Sequence, residues 1–365
     1  MTVDSIKTEN FRNIESTELI PENGVNVIYG ENAQGKTNIL EAIWLFTGCK
    51  SFRSAKDAEL IKFGEELAKL EISFNDGVRD KKANIAIGKN KKKAFLNGVE
   101  LEGTSELIGQ FYSVIFSPSH LSLIQDGPVF RRRFLDTALC ELKPKYSGYL
   151  ANYKRALVQR NALLKDLYMN ADLYDMLDSF DDLLARYSAA VMSDRLAYIK
   201  ALSRHCEEIY SGISENKEKI SVSYSRNEFS DENINVKDIY IAELENFKNA
   251  RKQDVILKTT SVGPHRDDIE ININGKSARS YGSQGQQRSC ALALKLGESE
   301  IIKTVTGQMP VTLLDDVMSE LDEKRQDYVL NHITDRQVFL TCCDPSQVLR
   351  MCGGKSFLIK EGKII

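Results

Sequence analysis

The segment from Gly30 to Thr37 constrains this chain more than any other part of it. Its residues, Gly-Glu-Asn-Ala-Gln-Gly-Lys-Thr, fit the pattern G-x-x-x-x-G-K-[ST] of a phosphate-binding P-loop. An apolar strand pattern at Val25–Tyr29 precedes the segment, and a helix pattern from Asn38 to about Thr47 follows it. This context predicts a loop whose backbone N–H groups surround phosphate oxygens at the positive end of a helix. A chance match in a glycine-containing loop is the alternative.

Two P-loop residues and a second segment together predict a magnesium site. Lys36 would reach the β- and γ-phosphates of a nucleotide, and the Thr37 hydroxyl would ligate Mg²⁺. An apolar strand pattern, Val311–Leu314, ends in the adjacent acids Asp315 and Asp316, which is the Walker B arrangement. Asp315 would hold Mg²⁺ through water, and Asp316 would polarise the attacking water. A surface turn after a strand, where Asp is common, is the alternative.

A second candidate phosphate site lies between these motifs, at Ser283–Gln287. Ser283 and Gly285 stand at the start of an apolar helix pattern, where a hydroxyl, a bare backbone and the helix dipole favour an anion. One nucleotide does not need two such sites in one chain, so we interpret the second as closing over the nucleotide of another protomer. An ordinary capped helix after a glycine turn is the alternative, and the local sequence by itself favours it.

The middle of the chain has a helical pattern. Pro128 starts one helix pattern and Pro144 interrupts it. Apolar residues at alternating spacings of four and three from Leu173 to Val191 are typical of a coiled-coil seam. The pattern therefore predicts an antiparallel helical hairpin over residues 145–212.

The order of the motifs resembles that of the ABC-type ATPases, which have Walker A, signature and Walker B motifs and then a D-loop, here Ser319–Asp322. The long, helical separation between Lys36 and Ser283 is similar to the SMC-like branch, in which a split ATPase head carries coiled helices. Further blocks along the whole chain resemble the RecF family of that branch. These blocks are Asn10–Asn13, Phe116–Pro118, Arg131–Asp136 and Gly263–Asp268, together with the P-loop and the signature.

The resemblance implies an α/β fold. We expect an ABC-type ATPase head, with a P-loop α/β core and an antiparallel β subdomain, plus an inserted helical arm domain. The head would be assembled from residues 1–112 and 251–365. Residues 113–250 would form the arm, or lobe II, which carries the helical hairpin.

The resemblance also implies a function. The chain would be an ATP-dependent DNA-binding protein of recombinational and gap repair, replication restart and SOS induction, with ATP and Mg²⁺ as cofactors. ATP binding would close a homodimer on DNA, and weak, DNA-stimulated ATP hydrolysis would reopen it. The expected partners are ssDNA, dsDNA and gap junctions, and the mediator proteins RecR and RecO. With these two mediators the chain would help to load a recombinase at ssDNA gaps.

The resemblance further assigns nucleotide contacts by position. Ser283, Gly285 and Gln286 would contact the γ-phosphate of the partner's ATP. Arg12 would lie near the nucleotide, and Thr341 occupies the switch position where transporters have His. The predicted nucleotide-binding set is Gly30, Glu31, Asn32, Ala33, Gln34, Gly35, Lys36, Thr37, Asn38, Arg12, Ser283, Gly285, Gln286 and Thr341. The predicted catalytic residues are Asp316, Asp315 and Lys36, and the predicted magnesium ligands are Thr37 and Asp315.

Two positions depart from the family pattern. Asp316 stands where transporters have Glu, and its side chain is one methylene shorter, which is consistent with slow hydrolysis. No glutamine around Phe116–His120 is recognisable as the Q-loop residue. The sequence therefore assigns no residue that links DNA to magnesium.

The net charge limits how the chain can meet DNA. It is −3, from 49 basic and 52 acidic residues, so DNA contacts must come from local patches. Lys89–Lys93, with Lys81 and Lys82 nearby, could meet phosphates or simply protect an edge strand. Arg131–Arg133 could face DNA or a dimer partner, or pair with acids on a solvated face. His265 could touch nucleotide or the dimer interface, although a locally satisfied turn residue is more usual.

Other features indicate a cytoplasmic protein without a membrane partner. No run of about 18 apolar residues is present, and the N-terminus lacks the apolar core of a signal peptide. The seven cysteines are scattered and form no C-x-x-C pair, which favours neither a disulfide framework nor a structural zinc site. We assign none of these cysteines a function.

Three other functions share parts of the pattern. A transporter cassette is opposed by the long arm, the missing His switch and the atypical signature. A scaffold that binds ATP without hydrolysing it is opposed by the two acids after the Walker B strand. A small-molecule kinase could use the same P-loop but would have no use for the signature sequence.

Overall fold

The structure is a computed structural model that describes residues 1–53, 55–167, 170–226 and 234–365. An antiparallel sheet occupies one side of the molecule. Its strands are β1 (Thr2–Phe11), β2 (Ile14–Leu19), β4 (Leu67–Asn75), β5 (Asp80–Gly88), β6 (Lys92–Leu96) and β7 (Val99–Leu101). They lie in the order β2-β1-β4-β5-β6-β7. The tip between β5 and β6 carries part of the lysine run Lys89–Lys93.

A second, mostly parallel sheet forms the centre. Its strands are β3 (Val25–Tyr29), β8 (Ser113–Phe116), β12 (Val311–Asp315), β13 (Val338–Cys342), β14 (Lys355–Lys360) and β15 (Lys363–Ile364). They lie in the order β15-β14-β3-β13-β12-β8, with only β15 antiparallel to its neighbour. Every residue of β12 and β13 is buried, as expected of parallel strands covered on both faces.

Ten helices surround the sheets in the described part of the chain. They are α1 (Lys36–Trp44), α2 (Ser122–Gln125), α3 (Pro128–Leu142), α4 (Pro144–Asp166), α5 (Met176–Ile213), α6 (Val236–Leu257), α7 (Ala278–Tyr281), α8 (Gln284–Thr306), α9 (Glu323–His332) and α10 (Ser346–Cys352). A small third sheet consists of β9 (Ile220–Tyr224), β10 (Ile269–Ile273) and β11 (Lys276–Ser277). Among the described helices, none has an apolar stretch long enough to span a membrane.

The central sheet separates two hydrophobic cores. Because successive residues of a strand point to opposite faces, Leu313 and Phe339 pack with α1 and the antiparallel sheet, whereas Leu314 and Leu340 pack with α5 and α8. The helix that follows the P-loop therefore lies between the two six-stranded sheets. This packing confirms the predicted α/β fold with an antiparallel β subdomain.

The helical hairpin is present and is joined by a third helix. Leu163 of α4 packs near Leu177 of α5, and Tyr153 packs near Leu184, so the two helices run antiparallel. Arg160 is fully buried and donates hydrogen bonds to Asp181 of α5 (2.8 Å) and to Asp254 of α6 (2.7 Å). The buried ion pairs thus connect α4, α5 and α6, and the sequence pattern did not predict α6 as part of this bundle.

Two strands lie inside the predicted arm, residues 113–250. β8 belongs to the central sheet, where it pairs with β12. β9 pairs with β10, which lies in the predicted head. The division of the chain at residues 112 and 250 stays a prediction, and these pairings would move the first boundary beyond Phe116.

Candidate functional site: a P-loop cavity beside an acidic strand end

The P-loop connects β3 to α1 in a backbone conformation that requires glycine at two positions. Gly30 has φ +147°, and a side chain there would collide with the Ile359 carbonyl. Gly35 has φ +112°, and a Cβ atom would lie 2.9 Å from Asn13 Oδ1. L-residues with side chains rarely adopt such φ values. The backbone therefore explains the first and the sixth residue of the motif.

Lys36 folds back over the loop. Its side chain is buried, and Nζ donates hydrogen bonds to the carbonyl oxygens of Gly30 (2.7 Å) and Glu31 (3.0 Å). The Sγ atom of Cys343 lies 3.8 Å from Nζ and donates to Asn32 Oδ1 at 3.4 Å. Cys343 is exposed, so a thiol lies beside the P-loop lysine at the surface. No sequence pattern signalled this neighbour.

The P-loop and the acidic strand end meet through hydroxyl groups. Thr37 Oγ1 donates a hydrogen bond to Asp315 Oδ1 at 2.7 Å, and Thr341 Oγ1 donates to the same oxygen at 2.9 Å. The backbone N–H of Asp316 donates to Thr341 Oγ1 at 2.9 Å. Thr341 thus positions both acids, because it contacts the carboxylate of one and the backbone of the other.

The chemistry of these groups fits a magnesium ion. Burial raises the pKa of the Asp315 carboxyl, while the hydrogen bonds from Thr37 and Thr341 lower it and the neighbouring Asp316 raises it. A cation between the hydroxyl and the carboxylate would stabilise the ionised form. Mg²⁺ prefers hard oxygen donors and often takes only one or two from the protein, with phosphate oxygens and water as the others. Thr37 and Asp315 would be those donors.

Arg12 is held by a buried glutamate. It has φ +56°, and its Nε and Nη2 atoms donate to the two carboxylate oxygens of Glu41, each at 2.9 Å. Glu41 is fully buried in α1 and also accepts a hydrogen bond of 2.5 Å from Ser51 Oγ. The guanidinium of Arg53 lies 3.7 Å from the same carboxylate. Glu41 was not among the predicted site residues, although an acid inside an apolar helix pattern is the signal of a buried ion pair.

A cavity of about 1040 Å³ joins these groups. The predicted residues that line it are Arg12, Asn32, Ala33, Gly35, Lys36, Thr37, Asn38, Asp315, Asp316 and Thr341. Lys89 and the turn at residues 62–66 form part of its rim. Gln34 instead points to the C-terminal hairpin, where its Oε1 accepts from the Glu361 backbone N–H at 2.5 Å. We call this space the P-loop cavity.

The signature segment lies elsewhere. Ser283 caps α8, accepting a hydrogen bond from the Gln286 N–H (3.2 Å), while the Gln286 side chain accepts from the Ser283 N–H (2.8 Å). Gln286 Nε2 also donates to Glu218 at 2.6 Å. Within the described chain, Ser283, Gly285 and Gln286 do not line the P-loop cavity. The capped-helix interpretation is therefore correct for the local structure, and the γ-phosphate contact stays a prediction.

The first glutamine after β8 is Gln125, at the end of α2. Its Nε2 donates to Gln287 Oε1 of α8 at 2.8 Å. This glutamine thus contacts the signature helix. It lies nine residues beyond Phe116 and therefore outside the segment Phe116–His120, in which no Q-loop glutamine is recognisable.

Most of the weaker candidates have partners within the chain. Ion pairs link Lys81 to Asp76, Lys82 to Glu71, Lys92 to Asp57 and Lys93 to Glu100. Arg131 is buried in a two-bond pair with Asp268. His265 contacts the Tyr153 hydroxyl at 2.5 Å and the Thr260 carbonyl at 3.1 Å, and burial lowers its pKa to about 4. For these residues, pairing within the chain fits the structure better than contact with DNA, nucleotide or a dimer partner.

Comparison with known proteins gives a consistent result. The family model described as the RecF/RecN/SMC N-terminal domain matches residues 2–355. A DNA replication and repair protein RecF from Lachnoclostridium phytofermentans is 41% identical over 344 residues, covering 94% of this chain and 92% of the relative. The RecF protein of Ruminiclostridium cellulolyticum is 39% identical over 366 residues, covering 99% and 97%.

Solved structures are similar over the same length. The recombination mediator protein RecF-ATPrS of the RecFOR pathway superposes with a TM-score of 0.91 at 37% identity, covering 99% of this chain and 97% of that one. A Pyrococcus furiosus Smc head domain with an extended coiled coil, bound to the C-terminal domain of ScpA, gives a TM-score of 0.58 at 16% identity, covering 100% and 96%. The second likeness concerns the fold alone.

Proposed function

The chain belongs to the RecF/RecN/SMC N-terminal domain family, and from that premise we propose that it is an ATP-dependent DNA-binding protein of recombinational and gap repair. ATP binding closes a homodimer on DNA, and slow hydrolysis reopens it. The protein acts in the cytoplasm, in replication restart and SOS induction as well as in repair. It works with RecO and RecR to help load a recombinase at ssDNA gaps.

One observation carries this proposal. The Thr37 hydroxyl and the Asp315 carboxylate lie 2.7 Å apart beside Lys36, in a chain that resembles a nucleotide-bound RecF mediator over 99% of its length. A scaffold that has lost the ability to hydrolyse ATP would have no reason to retain this arrangement of Thr37, Asp315 and Lys36. The relatives' names supply the pathway, and the geometry supplies groups that can act on a nucleoside triphosphate.

The residues of the P-loop cavity have distinct roles in this proposal. The loop N–H groups and Lys36 bind the phosphates, because they place positive charge where negative charge develops. Thr37 and Asp315 hold Mg²⁺, which supplies charge neutralisation at the phosphates when it is bound. Asp316 orients the attacking water. Its short side chain is consistent with slow turnover.

The signature segment is the proposed trans contact. Ser283, Gly285 and Gln286 lie outside their own P-loop cavity in the described chain, at the N-terminus of a helix of 23 residues. Such an end favours an anion. A second protomer could therefore place its signature helix against the nucleotide of the first. Bound nucleotide then stabilises the closed state of a two-state equilibrium, and its hydrolysis removes that stabilisation.

The decisive experiment measures mass and DNA binding together. Light scattering with and without ATP and Mg²⁺, repeated with a duplex that contains a single-stranded gap, should show a monomer that becomes a dimer and binds the gapped DNA more tightly. If the mass does not change when ATP is added, the shared-site mechanism is refuted. A scaffold that binds ATP without hydrolysing it would then be the favoured function. Co-purification with a membrane subunit would favour a transporter cassette, and a phosphorylated small-molecule product would favour a kinase.

Hydrolysis is tested by a conservative substitution. Lys36→Arg keeps the positive charge but replaces a compact ammonium with a planar group that the loop carbonyls do not fit. We expect slower phosphate release with partial retention of ATP binding, measured by phosphate assay and equilibrium dialysis. Unchanged turnover would refute the assignment of the site. The hydrolysis rate of the wild type should rise when DNA is added, because the proposed hydrolysis that reopens the dimer is stimulated by DNA.

A further inference from the structure

A second large crevice lies between α1 and the arm helices. Its volume is about 750 Å³. The segment after α1, helix α3 and the residues Leu150, Tyr153 and Lys154 of α4 form part of its walls. We call it the arm crevice. The P-loop cavity and the arm crevice share one lining residue, Arg53.

The arm crevice is strongly cationic. Within the described chain, seven Lys or Arg side chains line it and only two carboxylates do. The two carboxylates are already paired, since Asp136 accepts from Arg195 at 2.7 Å and Glu298 binds Lys295. The other five cations of the lining are Lys50, Arg53, Arg132, Arg133 and Lys154. Arg53 also lies 3.7 Å from the buried Glu41 carboxylate.

Arg132 and Lys154 are the cations of this lining whose surroundings bear most on ligand binding. Arg132 Nη1 donates to the Asp267 backbone carbonyl at 2.7 Å, which carries no formal charge. Burial and the neighbouring Arg195 lower the pKa of Arg132, while Asp268, Asp267 and Asp136 raise it. Lys154 is 63% exposed and lies 3.9 Å from the Asp136 carboxylate. An anionic ligand would stabilise this arrangement.

Aromatic side chains line the crevice together with the cations. Phe52 and Phe130 line it, and Phe130 is 43% exposed. Val129 next to it is 64% exposed. An exposed apolar patch rimmed by charge is typical of a binding surface. Positive charge beside aromatic faces is the combination with which proteins bind single-stranded nucleic acid.

We infer that the arm crevice is a binding site for single-stranded DNA, in which Phe130 and Phe52 stack against unpaired bases and Lys154, Arg132 and Lys50 bind the phosphates. The inference rests on the proposed DNA-binding function and deepens it. A duplex does not satisfy this site, because its base faces are covered by neighbouring base pairs and only an unpaired base can stack on a side chain. The crevice would therefore hold the unpaired strand of a gap.

The inference can be tested with full-length protein and a fluorescein-labelled oligothymidylate, followed by anisotropy with and without ATP. Phe130→Ala removes an exposed aromatic face and should weaken binding by about tenfold. Lys154→Gln removes one phosphate contact, so the slope of log K against log salt should become shallower by about 0.7. Affinity for a blunt, fully paired duplex should stay at the wild-type value in both variants.

Matched controls come from α4, the helix that carries Lys154. Lys165→Gln changes an exposed lysine of α4 outside the crevice, and Tyr149→Ala removes an aromatic ring that is 38% exposed there. Both should bind the oligothymidylate like the wild type. If Phe130→Ala and Lys154→Gln also do so, the inference is overturned while the proposed function stands. If the wild type binds no DNA of any form, the proposed function fails as well.

The single tryptophan gives a second measurement. Trp44 is the chain's only tryptophan and lines the arm crevice. With nucleotide already bound, oligothymidylate should change its fluorescence over the same concentration range as the anisotropy. A change caused instead by an acidic, phenylalanine-containing peptide, with none from oligothymidylate, would assign the crevice to a protein partner and refute the inference.

Discussion

Thr37 and Asp315 are joined by a hydrogen bond of 2.7 Å that links the P-loop helix to the acidic end of β12. Burial raises the pKa of this carboxyl above its ordinary value of 3.8. A proton and Mg²⁺ compete for the same carboxylate. We therefore expect the Mg²⁺ concentration for half-maximal ATP hydrolysis to rise as the pH falls, beginning at a pH higher than an exposed aspartate would require.

Thr341 provides the control for this pH dependence. Its hydroxyl also donates to Asp315 Oδ1, and this bond lowers the pKa of the carboxyl. Thr341→Val removes the bond and keeps the shape of the side chain. The rise in Mg²⁺ requirement should then begin at a still higher pH. A Mg²⁺ requirement that is independent of pH in both proteins would contradict the role of Asp315.

Cys343 should make nucleotide binding sensitive to alkylation. Its exposed thiol lies 3.8 Å from Lys36 Nζ, so a maleimide adduct would occupy the space where the lysine meets phosphate. We expect the adduct to weaken ATP binding at least about tenfold, the cost of losing one charge-assisted contact. Bound ATP should protect the thiol.

The other partly exposed thiols are poorer targets. Burial raises the pKa of Cys140 to about 11 and also raises that of Cys49, which lowers their thiolate fractions. Cys343→Ala should therefore retain ATP binding after treatment with the reagent. Mass spectrometry would identify the modified residue, and full inhibition of the Cys343→Ala protein would show that the relevant thiol lies elsewhere.

Glu141 should make the protein less stable as the pH rises. It is buried in α3, and neither carboxylate oxygen has a hydrogen bond of good geometry among the described residues, although the Ser113 backbone faces it. Burial and the nearby Glu298 hold its pKa well above 4.5. The folded state therefore favours the protonated form, whereas the unfolded chain ionises above about pH 4.5. Stability is greatest below that pH and is lost as the pH rises towards the folded-state pKa.

The substitution Glu141→Gln removes this titration. Each unit by which the pKa is raised costs about 1.4 kcal/mol of unfolding free energy at a pH above both values. The variant should gain stability relative to the wild type at pH 8 and little or none at pH 5, measured by urea unfolding. Glu245→Gln, an exposed glutamate of α6, should show no such pH-dependent difference. Equal effects of Glu141→Gln at both pH values would contradict the assignment.

The sequence predicted those parts of the site that depend on local patterns. The P-loop follows β3 and precedes α1 because a glycine-rich turn must connect them. The acids follow an apolar strand, β12, which pairs in parallel with β13, the neighbour of β3. It could not predict the pairing of Arg12 with Glu41, because that contact joins a β-turn to a helix through tertiary packing. For the same reason it missed Cys343 beside Lys36, and α6 against the helical hairpin.

Ser283 gives the sharpest test of the shared nucleotide site. It is exposed at the N-terminus of α8, where its Oγ accepts from the Gln286 N–H, so a substitution there changes both the helix cap and any contact with a partner. Ser283→Arg removes the cap, at a cost of about 1 kcal/mol, and adds bulk. Ser283→Asp retains a capping oxygen but places a negative charge where a partner's phosphate would lie.

Both substitutions should abolish dimerisation by ATP in light scattering, whereas Ser283→Asn, a neutral capping residue, should retain it. ATP binding to the monomer, measured by equilibrium dialysis, should be unchanged in all three, since Ser283 does not line its own P-loop cavity in the described chain. Comparing Ser283→Asp with Ser283→Asn distinguishes an effect on the helix cap from an effect on the contact with the partner's phosphate, because Asp and Asn cap equally well but differ in charge. A Ser283→Asp protein that dimerises with ATP like the wild type would therefore refute the trans contact, whatever Ser283→Arg does.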